Sequence, residues 1–351
     1  MPTLRNPAIG ARTKHWLARR ENKPTMNTFN HILYVMDPES NDAWAIRRVR
    51  TFAEESQAAL TFLLVLDLAP ASASAANESD PEPLIQEIRR QCAARTQEVL
   101  ADSGGSAGIR FEVRFGRLHV EVIRQAMSGG HDLVVKASED PDPKGRPLGS
   151  RDMHLLRKCP QPVWLLRKDG PERYRTLLVA IDPVPADEDP EGHALNREIL
   201  SRASALALAD LAELHLVHAW DAPAAGLLRH WNASAWALNP IADEVRYIED
   251  LRSQHQLRLS GVLGDLREIL GPETFEYLAV RSHLARGAAA QIIPALATEL
   301  GADIIVMGTL GRSGIPGLLI GNTAETIANR CDCALMAIKP PGFEPPAGLL
   351  P

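Results

Sequence analysis

At 351 residues the chain is long enough for two ordinary domains, and 45% hydrophobic with 23% charged residues is the balance of a globular protein. A net charge of −6 argues against a nucleic-acid groove or an anionic membrane surface, and no run of 18 apolar residues offers a transmembrane helix. Four cysteines (Cys92, Cys159, Cys331, Cys333) are too few for a disulfide framework, and the N-terminus lacks the apolar core of a secretory signal. A cytoplasmic protein is expected.

Residues 1–26 are basic and without hydrophobic period, so a disordered or mis-started extension is expected, with Met26 directly before the first strand. His31–Met36 then reads as a short apolar strand ending in Asp37-Pro38. Asn41 or Asp42 caps a helix to about Gln57. Leu60–Leu68 is a strand carrying Asp67, Leu84–Leu100 a helix, Ile109–Phe115 a strand and Val120–Met127 a short helix. Leu133–Val135 is a strand, Arg151–Arg157 a helix and Val163–Leu166 a strand. A polar linker, Arg167–Arg173, follows.

The pattern then repeats. Thr176–Ile181 is a strand ending in Asp182-Pro183, His193–Asp210 an Ala- and Leu-rich helix, and Leu214–Trp220 a strand. Asp243–Leu270 reads as a helix, Phe275–Val280 as a strand and Ala288–Leu300 as a helix. Ile304–Met307 is an apolar strand feeding a loop with Gly308, Gly311, Gly314, Gly317 and Gly321. Asn322, Thr323 and Glu325 read as the cap and first turn of the next helix, and Ala334–Ile338 is the last strand. The proline-rich residues 341–351 are expected to be a loose tail.

The halves match at particular residues. Asp37-Pro38 corresponds to Asp182-Pro183, Gly116 to Gly287, and the Gly149 to Cys159 spacing to that of Gly321 to Cys331. This is a duplication at domain scale, with expected domains at 27–168 and 169–340. Alternating strands and helices imply open parallel sheets flanked by helices, whose ligands sit beyond the strand carboxyl ends. Asp182, Ala219 and the Gly308 loop all lie at such ends. A glycine loop feeding a helix is a candidate anion site, because bare backbone lets N–H groups approach a ligand. The first half lacks this loop: aligned from Gly149, Lys136 stands opposite Gly308 and Glu139 opposite Gly311.

With these residues assembled, the chain resembles the universal stress protein family in its tandem form, over about residues 28–340. The family's Gly-x2-Gly-x9-Gly motif, followed by Ser or Thr, marks members that bind ATP. Here Gly308, Gly311 and Gly321 keep the spacing, Asn322 replaces the Ser or Thr, and Thr323 follows. The resemblance implies Rossmann-like, adenine nucleotide alpha-hydrolase-like domains paired through their last strands, Val163–Leu166 and Ala334–Ile338, as a pseudo-dimer within one chain. A further homodimer is an open alternative. It also implies an adenine-nucleotide site: Asp182 at the adenosine end, Ala219 offering backbone to adenine, and Gly308, Gly311 and Gly321 near ribose and phosphates, with Arg312, Ser313, Asn322 and Thr323 adding contacts. ATP, with Mg2+, is the implied cofactor, and stress response the implied role.

Other candidates carry less. His215 and His218, three apart on a strand, point to opposite faces and cannot share a metal. Cys331 and Cys333 fall on one face if extended, without a second pair to complete a zinc site. Ser313 has no local base, so no triad is expected and at most weak ATP hydrolysis. Trp220, Trp231 and Trp236 cluster around 224–238, where either a packed insertion or a lid over an apolar ligand would suit them. A nucleotide-free scaffold or apolar-ligand carrier is the alternative reading.

Overall fold

The computed structural model describes residues 28–37, 43–66, 82–99, 101, 108–139, 148–168, 170–225, 240–309, 320–346 and 348. The first half runs β1 (His31–Met36), α1 (Ala43–Ser56), β2 (Ala59–Leu66), α2 (Glu82–Val99), β3 (Ile109–Phe115), α3 (Leu118–Ser128), β4 (Leu133–Ala137), α4 (Ser150–Lys158) and β5 (Val163–Leu166). The second runs β6 (Thr176–Ala180), α5 (Pro190–Asp210), β7 (Glu213–Trp220), α6 (Pro240–Leu270), α7 (Pro272–Leu278), β8 (Arg281–Arg286), α8 (Ala289–Leu300), β9 (Ile304–Gly308), α9 (Asn322–Ala328) and β10 (Ala334–Ile338).

The strands form one sheet of ten in the order β3-β2-β1-β4-β5-β10-β9-β6-β7-β8. Each half is parallel throughout, and the halves meet antiparallel at β5–β10, where Trp164 pairs with Met336. The central strands are continuous runs of Val, Ile and Leu because helices cover both faces. The two large hydrophobic clusters lie one on each face, each with residues from both halves.

The duplication is visible in the backbone. Gly116 and Gly287, each following an edge-side strand, adopt φ of +141° and +140°. Their N–H groups donate to Leu66 O and Trp220 O at 3.0 and 2.8 Å. A residue with a Cβ would be strained at either place.

Two expectations change. Phe275–Val280 is not a strand: Gly271, at φ +73°, ends α6, and Pro272 opens the helix α7, since proline suits a first helical turn. The strand is Arg281–Arg286, at the sheet edge with half its residues exposed and none buried, so it carries no apolar run. The second change is one of register. Lys136 pairs with Val35, whereas Met307 pairs with Ala180, the residue matching Val35. Lys136 is therefore the counterpart of Met307, and Ala137 that of Gly308.

Candidate functional site

In each half the strand order reverses between the first and fourth strands. In the second half this switch point lies between β6 and β9, and Asp182 and Gly308 sit at its carboxyl end. Ala219, in the neighbouring β7, completes a row of three adjacent strands. The Ile181 N–H donates to Val217 O at 3.0 Å, which keeps β6 and β7 together up to this rim. Crevices of this kind hold ligands because strands splay there and helices lie on opposite faces.

The individual residues are set as follows. Asp182 is exposed, and its backbone carbonyl accepts from Asn196 Nδ2 at 2.7 Å. Asn196 is 5% exposed on α5, a helix opened by the Asp189 cap, which accepts from Gly192 N–H at 2.9 Å, and by Pro190. Sequence reasoning missed Asn196, although a buried amide in an Ala- and Leu-rich helix is a signal. Ala219 and Gly308 are half-buried. Gly308 also has a packing reason: a Cβ there would lie 3.0 Å from Leu195 Cδ2.

Beyond Gly308, Thr309 is 1% exposed and its N–H donates to Ile338 O at 3.0 Å. The Gly321 N–H then donates to Thr309 O at 2.7 Å. This clasp returns the chain to the rim of β9 after the loop 310–319. Gly311, Arg312 and Ser313 lie within that loop, outside the described residues. Gly321 is the N-cap of α9 and supplies no side-chain cap, and Asn322 and Thr323 are exposed in the first turn. With seven residues α9 has a small dipole, so attraction for an anion would rest on loop amides and side chains.

The first half fills the corresponding position with its own side chains. Lys136, 2% exposed, pairs with Asp152 at 2.8 Å, and Asp152 also accepts from the Glu139 N–H at 2.8 Å. The Glu139 carboxylate in turn accepts from Arg151 N–H at 3.2 Å, so it sits at the start of α4 as an anion would. A Cβ on Gly149 would stand only 1.7 Å from Glu139 Oε2. Burial and the neighbouring Asp152 push the Glu139 carboxyl above its ordinary pKa.

The histidines of β7 face opposite sides. His215 Nδ1 lies 3.0 Å from His283 Nε2, and His218 Nε2 lies 2.8 Å from His255 Nδ1. Burial lowers the pKa of both His215 and His283. Among the described residues no group of three His, Cys, Asp or Glu is placed to hold a metal ion. Trp220 is 5% exposed and packs with Ala222, Ala225, Tyr247 and Leu251, while its ring stacks on His255 at 5.3 Å. Trp231 and Trp236 lie outside the described residues.

Comparison with known proteins adds a family. The family model described as "Universal stress protein family" matches residues 28–167 and again 173–339. Universal stress protein E of Escherichia coli K12 is 29% identical over 330 residues, covering 92% of this chain and 98% of that protein. The universal stress protein E homolog of Haemophilus influenzae is 26% identical, covering 89% and 98%. Among solved structures, PA1789 of Pseudomonas aeruginosa PAO1, described as functionally unknown, aligns with a TM-score of 0.60 at 24% identity, over 90% of this chain and 94% of its own. A universal stress protein of Archaeoglobus fulgidus aligns with a TM-score of 0.54 at 20% identity, over 88% and 98%.

Proposed function

We propose that this chain, which belongs to the universal stress protein family, binds an adenine nucleotide, ATP, in its second half and serves stress signalling in the cytoplasm. The observation that carries the reading is the convergence of Asp182, Ala219 and Gly308 on one switch-point crevice, with Gly321 clasped back to its rim through Thr309. In this reading Asp182 accepts from the ribose or adenine end. Ala219 presents backbone to the base. Gly308, Gly311 and Gly321 let the chain pass close to ribose and phosphates, and Arg312, Ser313, Asn322 and Thr323 contact the phosphates. Mg2+ would enter with the triphosphate. Arg312 supplies the positive charge that the seven-residue α9 does not. The one carboxylate in this set, Asp182, stands at the adenosine end and not at the phosphates, so the reading is one of binding and sensing, with nucleotide occupancy altering the loop that partners meet. The self-sealed first half supports a single site per chain.

Calorimetric titration of the full chain with ATP and AMP, with and without Mg2+, tests the proposal. Saturable binding at one nucleotide per chain, abolished by Gly311→Val, is expected. Absence of heat at about millimolar nucleotide, where binding more favourable than roughly −4 kcal/mol would register, overturns it in favour of a nucleotide-free scaffold or carrier.

A further inference from the structure

Away from that crevice, at the opposite end of the strands, a cavity of about 420 Å³ opens between the linker and the start of β10. Its lining includes Arg167, Lys168, Asp303, Cys331, Asp332 and Cys333. Cys331 is 7% exposed and Cys333 half-buried, and the two free thiols, two residues apart on one turn, line the same cavity. The duplication supplies an independent view of the same turn. In the first half the matching residues are Cys159 and Gln161, and the Cys159 Sγ donates to Gln161 Oε1 at 3.7 Å. The turn from helix into last strand can therefore bring side chains two residues apart into contact, as it does in the first half. Only in the second half are both of them thiols.

We propose that Cys331 and Cys333 form a thiol-oxidation site, a dithiol that small disulfides convert into a disulfide within the turn. Arg167 reaches across from the first half, its Nε donating to Asp332 O at 3.3 Å, and places a guanidinium beside Cys333. The neighbouring Cys331 thiol, against the cost of burial and with help from this positive charge, holds the Cys333 thiol below its ordinary pKa, while Cys331 keeps its proton. The Cys333 thiolate attacks one sulfur of a small disulfide such as glutathione disulfide. That S–S bond breaks, and one glutathione leaves as thiolate and takes a proton from water. Cys331, no longer sharing its proton with Cys333, releases it to solvent and attacks the Cys333 sulfur. The mixed disulfide breaks and the second glutathione leaves. The two protein thiols are oxidised and the small disulfide is reduced to two thiols.

The site is independent of nucleotide binding. The full chain is incubated with glutathione disulfide, free thiols are blocked with N-ethylmaleimide, and the tryptic peptide 331–351, which holds Cys331 and Cys333 alone among the cysteines, is weighed. The expected product is lighter by two hydrogens and unalkylated, with Cys159 still reduced. Cys331→Ser is expected to arrest at one stable glutathione adduct on Cys333, and Cys333→Ser to take up none. Arg167→Gln should move the pH midpoint for alkylation of Cys333 upward while the wild-type circular dichroism spectrum is retained. Alkylation of both thiols in the wild-type chain after exhaustive oxidation, or a wild-type adduct that never resolves, overturns the proposal.

Discussion

His131 is 4% exposed, its ring is tilted against that of His31 at 4.0 Å between centroids, and its Nδ1 lies 3.1 Å from Gln125 O. Burial, reinforced by His31, holds its pKa down from 6.5 to about 4. The unfolded chain binds a proton here below about pH 6.5 that the folded chain refuses until about pH 4. Its contribution is therefore complete above the unfolded value and is lost as pH falls towards the folded one, at up to ~1.4 kcal/mol per pH unit. Urea midpoints measured across this range should fall with pH, and His131→Asn should flatten the slope. An unchanged slope would show that other groups dominate. No sequence pattern announces such a histidine, because its shift comes from what tertiary packing puts beside it.

At the scale of elements, buried strands and their order of occurrence were legible, since central parallel strands must be apolar throughout. The edge strand β8 was not. Its sequence Arg-Ser-His-Leu-Ala-Arg is what an edge requires, and the apolar residues just before it belong to a helix fixed by Gly271 and Pro272. The glycine spacing and the three residues at the switch point were likewise readable, because strand carboxyl ends follow from alternation alone. What fills the first-half loop was not: Lys136 and Glu139 could be named, but their capture by Asp152 depends on how α4 docks. That capture gives a prediction. Glu139 does for the start of α4 what the N-cap Gly149 cannot, so Glu139→Ala should cost about 1 kcal/mol, as other cap removals do. A denaturation midpoint equal to wild type would mean that Arg151 N–H finds water instead.

The whole molecule is held across the midline by more than the β5–β10 ladder. Arg48 of α1 pairs with Asp210 of α5 at 2.5 Å, both side chains 1% exposed. The Arg48 guanidinium also lies over the rings of Trp164 and Tyr174, 4.7 and 4.4 Å from their centroids. Asp210 additionally accepts from the Tyr174 N–H at 2.9 Å, which ties the linker to the second half. Nearer the surface Arg157 meets Glu325 at 2.7 Å, and Arg173 meets Glu55 at 2.6 Å. Exposed pairs of the second kind contribute little, but breaking a buried one strands a charge. Arg48→Met should destabilise the chain by ~3–5 kcal/mol, and a second change, Asp210→Leu, should restore most of it. Calorimetric scans would check both variants, and a double variant no better than the single would show that the Tyr174 bond is the larger loss. The pairing of last strands was expected, yet Arg48 and Asp210 lie 162 positions apart and no local pattern links them.

The ion-paired loop of the first half has a consequence for how the molecule would answer a signal. Two open cradles on one rigid sheet could communicate, giving a steep, threshold-like response to concentration. On the proposed reading, Lys136, Asp152 and Glu139 close one of them and leave one nucleotide site per chain. A single chain would then register its ligand hyperbolically, with a Hill coefficient of one, as a graded gauge of abundance, and any steeper response would have to come from a second chain.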